Sequence, residues 1–322
     1  MGPARARQTL TATGAAGRRY AGALMVLAAA SLWGTLGYFG RRLYPLGITP
    51  LELASVRASI GAVGLALWAA RAPARLRIRR RDLPFFALYG IIAVALFQWL
   101  YFATIERTTL ANAAALLYTA PAFVVLLARA AGDQRITRLQ LGALAMVLAG
   151  VFLVTGAAAS LAGGASSISA AALALGLASG LTYGLYTVFG KRALARYDAV
   201  QTVFWAFAFG ALALSLAAPP WQPFLARPAA APLLVALGLL PTLAAYLLYI
   251  GGLSRLPAAN AAMLATIEPV VATLIGVTLL GEAMGAGQAA GVALIVAAAL
   301  ALARARAEAP PARAPAQPGG GA

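Results

Sequence analysis

Two ionisable side chains lie deep inside long apolar stretches of this sequence, Glu268 and Arg57. Glu268 is about 11 residues into its stretch, or roughly 16 Å along a helix. A carboxyl group at that depth is costly in its charged form and indicates a functional role by default. It could take up a proton or bind a substrate amine. The alternative is structural, because a glutamate just before Pro269 can satisfy backbone groups at a kink.

Arg57 is the one basic residue in the interior of an apolar stretch. It lies about 8 residues, or roughly 12 Å, from one end of that stretch. If both stretches cross a hydrocarbon core of about 30 Å, Glu268 lies at a similar depth, about 14 Å from the same side. A buried pair between Arg57 and Glu268 is therefore allowed, and Glu52 is a competing partner. A substrate carboxylate is the other candidate ligand for Arg57.

A set of aromatic and amide side chains accompanies these two charges. Tyrosines usually mark the ends of membrane spans, but five tyrosines here fall in the middle of apolar stretches, where a buried hydroxyl needs a partner. A wet cavity would satisfy them, although core packing is the simpler interpretation of any single one. The asparagines fit hydrogen bonds across helices better than substrate binding. The candidate binding residues are Trp33, Gln98, Asn112, Tyr118, Tyr183, Tyr186, Tyr246, Tyr249 and Asn260, beside Arg57 and Glu268.

Composition indicates the kind of element that positions these residues. Of the 322 residues, 62% are hydrophobic and 10% are charged, whereas a soluble domain carries about a quarter charged residues. Water cannot solvate so much apolar surface, so lipid must. The chain has neither cysteine nor histidine, which excludes Cys/His zinc centres, histidine-ligated haem, catalytic thiols and Ser-His-Asp triads. We expect no metal, no cofactor and no enzymatic activity.

Apolar stretches of membrane-spanning length recur along the chain. A spanning helix needs roughly 20 mostly apolar residues, and helices are the default in lipid because they satisfy their own backbone groups. The predicted fold is an all-α, polytopic membrane protein with ten transmembrane helices. They cover residues 20–40, 49–70, 83–104, 109–129, 139–156, 168–190, 199–217, 231–251, 257–280 and 286–303. Residues 1–19 and 304–322 are expected to be disordered tails.

Basic residues predict the orientation of these spans. With ten spans both termini lie on one side, and nearly all the Lys and Arg between spans lie on that side too. Those on the other side are Arg41, Arg42, Arg107 and Arg227. The positive-inside rule therefore predicts cytoplasmic termini in the inner membrane. This topology accounts for the net charge of +17 without a nucleic-acid partner, and contacts with anionic membrane lipid are expected.

The two halves of the chain resemble each other at an offset of about 150 residues, as in transporters built from internal repeats. Asn112 and Pro121 match Asn260 and Pro269 at the same separation, and Tyr101 matches Tyr249. The predicted repeats are two five-helix units, residues 20–156 and 168–303. Because five is odd, the second unit enters the membrane from the opposite face. Such inverted repeats are typical of secondary transporters, whose binding site lies near the midplane between the halves.

Several motifs in these repeats extend the pattern. They are Trp33-Gly34, Pro50 followed by Arg57, the Ala-Asn-Ala-Ala pattern before a proline in both halves, and Leu280-Gly281-Glu282 with Gln288 and Gly291. Over residues 20–303 the chain resembles the drug/metabolite transporter superfamily, specifically its EamA family. The first half departs from the family at Gly132-Asp133, where Gly-Glu is usual. The resemblance implies an inner-membrane exporter of amino acids or other small metabolites.

We therefore expect a secondary transporter that alternates access around a central cavity, with protons as the candidate coupling ion. A channel-like pore or uniporter for a small solute is the main alternative. A membrane enzyme would need paired acids at one depth, and Glu268 is alone in mid-span. A non-transporting scaffold is a further alternative. The sequence leaves the substrate and the oligomeric state open.

Overall fold

The computed structural model describes residues 20–70, 76–130, 137–154, 168–256, 264–265 and 267–308. Within those ranges the chain is helical and contains no strand. We number its principal helices in chain order. They are α1 (Tyr20–Leu46), α2 (Pro50–Ala69), α3 (Arg80–Arg107), α4 (Leu110–Leu117 and Ala120–Ala130), α5 (Arg138–Val154), α6 (Ala170–Leu194), α7 (Ala199–Ala217), α8 (Pro228–Gly252), α9 (Glu268–Leu279) and α10 (Ala286–Glu308).

Seven of these helices are long and apolar enough to cross a membrane, namely α1 to α4 and α6 to α8. The other three contain shorter apolar helices, Leu141–Leu153, Glu268–Leu279 and Ala286–Ala298. The described part of the chain is thus all-helical, with seven helices that could cross a membrane where the sequence predicts ten. Residues 257–263 and 266, in the first part of the predicted ninth span, lie outside the described residues.

The predicted ends of the helical part differ from the observed ends at the C-terminal side. Helix α10 continues to Glu308, five residues past the predicted boundary. Residues 303–308 alternate alanine with arginine and end in glutamate, all of which are strong helix formers. The remainder of the predicted tails, residues 1–19 and 309–322, lies outside the described residues.

Two capping boxes begin equivalent helices of the two repeats. Thr49 accepts from the backbone N–H of Glu52, whose carboxylate accepts in return from the N–H of Thr49, at the start of α2. Asp198 and Gln201 form the same reciprocal pair at the start of α7. Each pair satisfies backbone donors that a helix N-terminus leaves open.

The residue at the N3 position of each box, Glu52 or Gln201, also binds across to the other repeat. Glu52 accepts from Arg227 Nη1 at 3.0 Å, which ties α2 to the segment before α8. Gln201 Nε2 donates to the carbonyl oxygen of Arg77 at 2.9 Å, which ties α7 to the segment before α3. The two contacts are related in the same way as the repeats, so the two halves hold each other at both ends of the bundle.

Close helix approaches in the centre depend on small residues. A Cβ at Gly90 of α3 would lie 2.6 Å from the carbonyl oxygen of Ala206 and 2.7 Å from the nitrogen of Gly210, both on α7. A Cβ at Gly180 of α6 would lie 2.8 Å from the carbonyl oxygen of Leu116 on α4. Because these neighbours are backbone atoms, no larger residue fits without moving a helix.

Helix α1 is interrupted by a turn at Thr35, and three further helices are irregular near their middles. Helix α3 is π-helical at Ile91–Leu96 and α8 is π-helical at Leu239–Ala244, at equivalent positions of the two repeats. Helix α4 is interrupted at Tyr118 and Thr119. Irregular backbone at membrane depth is tolerated where it is buried in protein or lines a cavity, and π-helical turns are frequent at functional sites. The candidate site lies among these irregular segments.

Candidate functional site

Glu268 is the first residue of α9 and is only 6% exposed. Its Oε2 atom accepts a hydrogen bond of 3.0 Å from the hydroxyl of Tyr118, which lies at the interruption of α4. The same hydroxyl lies 3.1 Å from the carbonyl oxygen of Ala265, just before α9. The interruption of α4 and the start of α9, one from each repeat, therefore meet at this carboxylate. Helix ends near the midplane between repeats are where transporters bind substrates and ions.

Arg57 is 3% exposed, in the middle of α2. Its Nε donates to Thr242 Oγ1 at 3.0 Å. Thr242 lies in the π-helical turn of α8, and its hydroxyl in turn donates to the carbonyl oxygen of Leu237, five residues earlier. The Tyr246 hydroxyl, one turn further along α8, lies beside the guanidinium. The side chain of Arg57 thus packs against the π-helical turn of α8 and hydrogen-bonds to it.

The charges of Arg57 and Glu268 are close enough to interact, but they do not touch. Among the described residues, the ion pairs within 4.0 Å involve other arginines. Glu52, the competing partner suggested by the sequence, pairs with Arg227 instead. The competing pair of Arg57 with Glu52 is therefore excluded, because Glu52 is held in its capping box at the start of α2 and by Arg227. Buried charges at this depth usually pair with one another or line a substrate path.

Aromatic side chains surround the two charges. The Trp33 ring lies 5.3 Å from that of Tyr246 and 5.2 Å from that of Tyr249, between centroids. Between α3 and α6 the Tyr183 ring stacks on that of Phe97, with 5.2 Å between ring centroids. The Tyr183 and Tyr186 centroids are 6.4 Å apart. Such rings give an apolar wall with hydroxyl groups at its edges.

Nine of the eleven candidate residues are therefore brought to one region, and of the other two, one lies elsewhere and one is outside the described residues. Asn112 is fully buried, but its Nδ2 donates to Thr108 Oγ1 at 3.1 Å, four residues earlier on the same repeat. The expected hydrogen bond across helices is wrong for this residue, because a nearer hydroxyl meets its amide first. Asn260 lies outside the described residues. The nine others are Trp33, Arg57, Gln98, Tyr118, Tyr183, Tyr186, Tyr246, Tyr249 and Glu268.

Some residues of the site were missed by the sequence interpretation. Thr242 and Tyr101 are examples: Thr242 binds Arg57 directly, and Tyr101 is buried close enough to both charges to interact with them. A threonine four residues before Tyr246, on the same helix face, was an available signal for the first. Phe207, whose ring centroid lies 4.7 Å from that of Tyr246, looks like any core phenylalanine in the sequence.

A small cavity of about 10 Å³ lies between α3, α6, α7 and α8. Its walls include Phe97, Gln98, Tyr183, Tyr186, Phe207 and Tyr246. That volume is roughly the room of one water molecule. Metal coordination finds no support in the described part of the chain, which has no cluster of three acidic or other metal-ligating side chains.

A second polar cluster lies at the end of the bundle where α1 meets α2. Glu282, between α9 and α10, accepts from the backbone N–H of Leu110 at 2.8 Å and from Arg41 Nη2 at 3.3 Å. Arg41 also donates to the carbonyl oxygen of Thr108 at 2.6 Å. Glu282 therefore joins α1, the start of α4 and the end of α9, and we call these contacts the Glu282 cluster.

Comparison with known proteins matches this architecture. A model of the EamA-like transporter family matches residues 20–156 and again residues 170–304. An uncharacterized transporter of Archaeoglobus fulgidus is 30% identical over 277 residues, covering 86% of this chain and 94% of the relative. A probable terminal-alkyne amino-acid exporter of Streptantibioticus cattleyicolor is 30% identical, covering 77% of this chain and 84% of that exporter.

A solved crystal structure of a protein shares the fold, with a TM-score of 0.57 and 22% identity over 89% of this chain and 98% of that one. The resemblance suggested by Trp33-Gly34 and the repeated Asn and Pro is thereby confirmed over both halves of the chain. The family is one of membrane transporters for small molecules, and not of enzymes. The chain belongs to the EamA-like transporter family.

Proposed function

We propose that this chain is a secondary transporter that exports amino acids or similar small metabolites by alternating access, with protons as the coupling ion. The observation that carries the proposal is the pair Arg57 and Glu268, two buried opposite charges that do not touch and that lie on different repeats. A zwitterion placed between them would satisfy both. An arginine fork suits a carboxylate, and a carboxylate suits an ammonium group or a proton.

The proposed architecture is ten transmembrane helices in two inverted five-helix repeats, residues 20–156 and 168–303. The equivalent capping boxes, the equivalent π-helical turns and the paired contacts across the repeats support it. The distribution of arginine and lysine supports an inner-membrane location with both termini cytoplasmic. The α1–α2 end of the bundle is then the outer end.

Amino acids are the substrate class that the site supports best. The relative from Streptantibioticus cattleyicolor, named as an amino-acid exporter, supports the same class. The aromatic rings beside the charges provide an apolar surface for the rest of such a molecule. A channel-like pore remains the alternative function, and it would carry flux that does not respond to an ionophore collapsing the proton gradient.

Ligand-induced stabilisation tests the substrate class. Purified protein is heated with each of the common amino acids in turn, and with each amino acid amide as a matched control without a carboxylate. A ligand at 100 times its Kd stabilises a protein by about 2.7 kcal/mol, so we expect Tm to rise by several degrees with at least one acid and not with its amide. Equal shifts with acids and amides, or none with any acid, would rule out this substrate class.

The Glu282 cluster is the proposed closure of the outer end in this conformer. Replacing Glu282 by alanine removes the carboxylate that joins three helices, so the outward-open conformer should become more populated. A cysteine substituted for Ala111, which is 5% exposed beside Leu110, reports the opening. The chain has no native cysteine to interfere. We expect labelling by a membrane-impermeant maleimide to be at least about fivefold faster, the effect of roughly 1 kcal/mol.

The matched control for this experiment is Glu106→Ala, also at the outer end. Glu106 pairs with its neighbour Arg107 at 2.6 Å and joins no second helix through that contact. Labelling at position 111 should then keep its original rate. Equal labelling rates in the Glu282→Ala and Glu106→Ala proteins would show that the Glu282 cluster does not close the outer end.

A further inference from the structure

The cavity between α3, α6, α7 and α8 contains an unusual polar atom. Gln98 lines it and is 1% exposed, yet its side-chain carbonyl oxygen Oε1 has no hydrogen-bond partner. A buried acceptor without a partner is unfavourable, and such groups in folded proteins call for an explanation. A hydrogen-bond donor on a bound ligand would supply the partner that Gln98 Oε1 lacks.

Two tyrosine hydroxyls of the cavity wall are already engaged. The hydroxyl of Tyr246 lies beside Arg57, and that of Tyr186 lies beside Tyr89. Among the described residues that line the cavity, Gln98 is the one with a buried polar atom that lacks a partner. A donor that enters the cavity therefore meets, in Gln98 Oε1, a buried acceptor that no described protein group occupies.

The cavity adjoins the two charges. Tyr246 belongs both to the cavity wall and to the surroundings of Arg57, and Tyr183 is close enough to Glu268 to interact with its charge. A molecule whose carboxylate lies on Arg57 can thus direct its side group past Tyr246 into the cavity. The aromatic walls favour an apolar group, and the water-sized volume matches a small one such as a hydroxyl.

We propose that this cavity is the side-group pocket of the transport site, and that Gln98 selects substrates whose short apolar side group carries a hydrogen-bond donor. The proposal rests on the proposed transport of amino acids. A pocket built to bind a hydroxyl rejects the analogue that lacks it, because the acceptor of the protein is then left unpaired. The substrate class is accordingly a small hydroxyl-bearing amino acid.

L-threonine and L-valine are a suitable pair of probes, because they differ by a hydroxyl in place of a methyl group. Binding of each to the purified full-length protein is measured by calorimetry, and uptake of each into proteoliposomes is measured in parallel. We expect threonine to bind at least about tenfold more tightly than valine. In Gln98→Met, which keeps the length of the side chain without its polar atoms, the preference should disappear.

The same substitution should leave the protein folded. Removing an unpaired buried oxygen is expected to raise the Tm of the free protein, so loss of selectivity would come with a gain of stability. Thr202→Val is the control, because Thr202 Oγ1 is also buried without a partner but does not line the cavity. This control should keep the preference for threonine.

Equal binding of threonine and valine by the original protein would overturn the inference, as would a preference that persists in Gln98→Met. Transport of other amino acids with neither probe bound would also overturn it, while leaving the proposed function standing. Absence of binding and transport for every amino acid would remove the proposed function and this inference together.

Discussion

Replacement of Glu268 by glutamine is expected to abolish proton-linked transport while the protein stays folded in the membrane. Glutamine has the same length and keeps a carbonyl oxygen that can accept from Tyr118, so the junction of α4 and α9 is retained. What is lost is the negative charge and the site of protonation. A hydrogen bond from a substrate ammonium group to the charged carboxylate contributes about 1.5–3 kcal/mol. Its loss should lower flux by roughly 10- to 100-fold, and the flux that remains should no longer respond to a pH gradient.

Tracer efflux from proteoliposomes, with and without an ionophore that collapses the proton gradient, measures both effects. Tyr118→Phe is the informative comparison, because it removes the hydrogen bond to Glu268 and leaves the carboxyl group in place. It should slow transport and keep the response to the gradient. Coupled flux of normal size in Glu268→Gln would remove this carboxylate from the mechanism.

Replacement of Arg57 by methionine is expected to weaken the binding of carboxylate substrates strongly without unfolding the protein. Methionine is of similar length and apolar. Because Arg57 is in no ion pair within 4.0 Å among the described residues, its replacement does not break a buried pair, which is the strongly destabilising change. Thr242 is not left without a partner, since its hydroxyl already donates to Leu237. Binding should weaken by roughly 10- to 100-fold, the effect of losing a charged hydrogen bond.

The comparison of an amino acid with its amide isolates this effect. The original protein should prefer the acid, and the Arg57→Met protein should bind both equally weakly. Arg57→Lys should recover only part of the preference, because lysine keeps the charge but not the planar fork that fits a carboxylate. A preference for the acid that survives in Arg57→Met would assign the carboxylate to another residue.

The sequence was sufficient to find the two charges, because depth in an apolar stretch follows from counting residues along a helix. Glu268 and Arg57 were predicted at similar depth, and the structure brings them close enough to interact. The repeats were visible for the same reason: Asn112 and Pro121 recur at fixed separation as Asn260 and Pro269. Patterns that depend on position along one helix can be read without the fold.

Contacts between helices distant in sequence were not predictable in this way. The partner of Glu52 is Arg227, and the partner of Glu282 is the backbone of Leu110. Both depend on how the repeats pack, which no spacing along the chain records. The π-helical turns of α3 and α8 were not predicted for another reason. One extra residue in a turn changes which face carries Gln98 or Tyr246, and apolar sequence gives no sign of it.

Counterflow is the measurement that tests the account most directly. Proteoliposomes are loaded with an unlabelled mixture of the common amino acids and diluted into a trace of the same mixture carrying a radioactive label. A protein that alternates access around a binding site exchanges inner for outer molecules, so we predict transient accumulation of label above its external concentration. Label that only equilibrates would identify a pore, and label that does not enter beyond the level of protein-free liposomes would contradict transport of amino acids altogether.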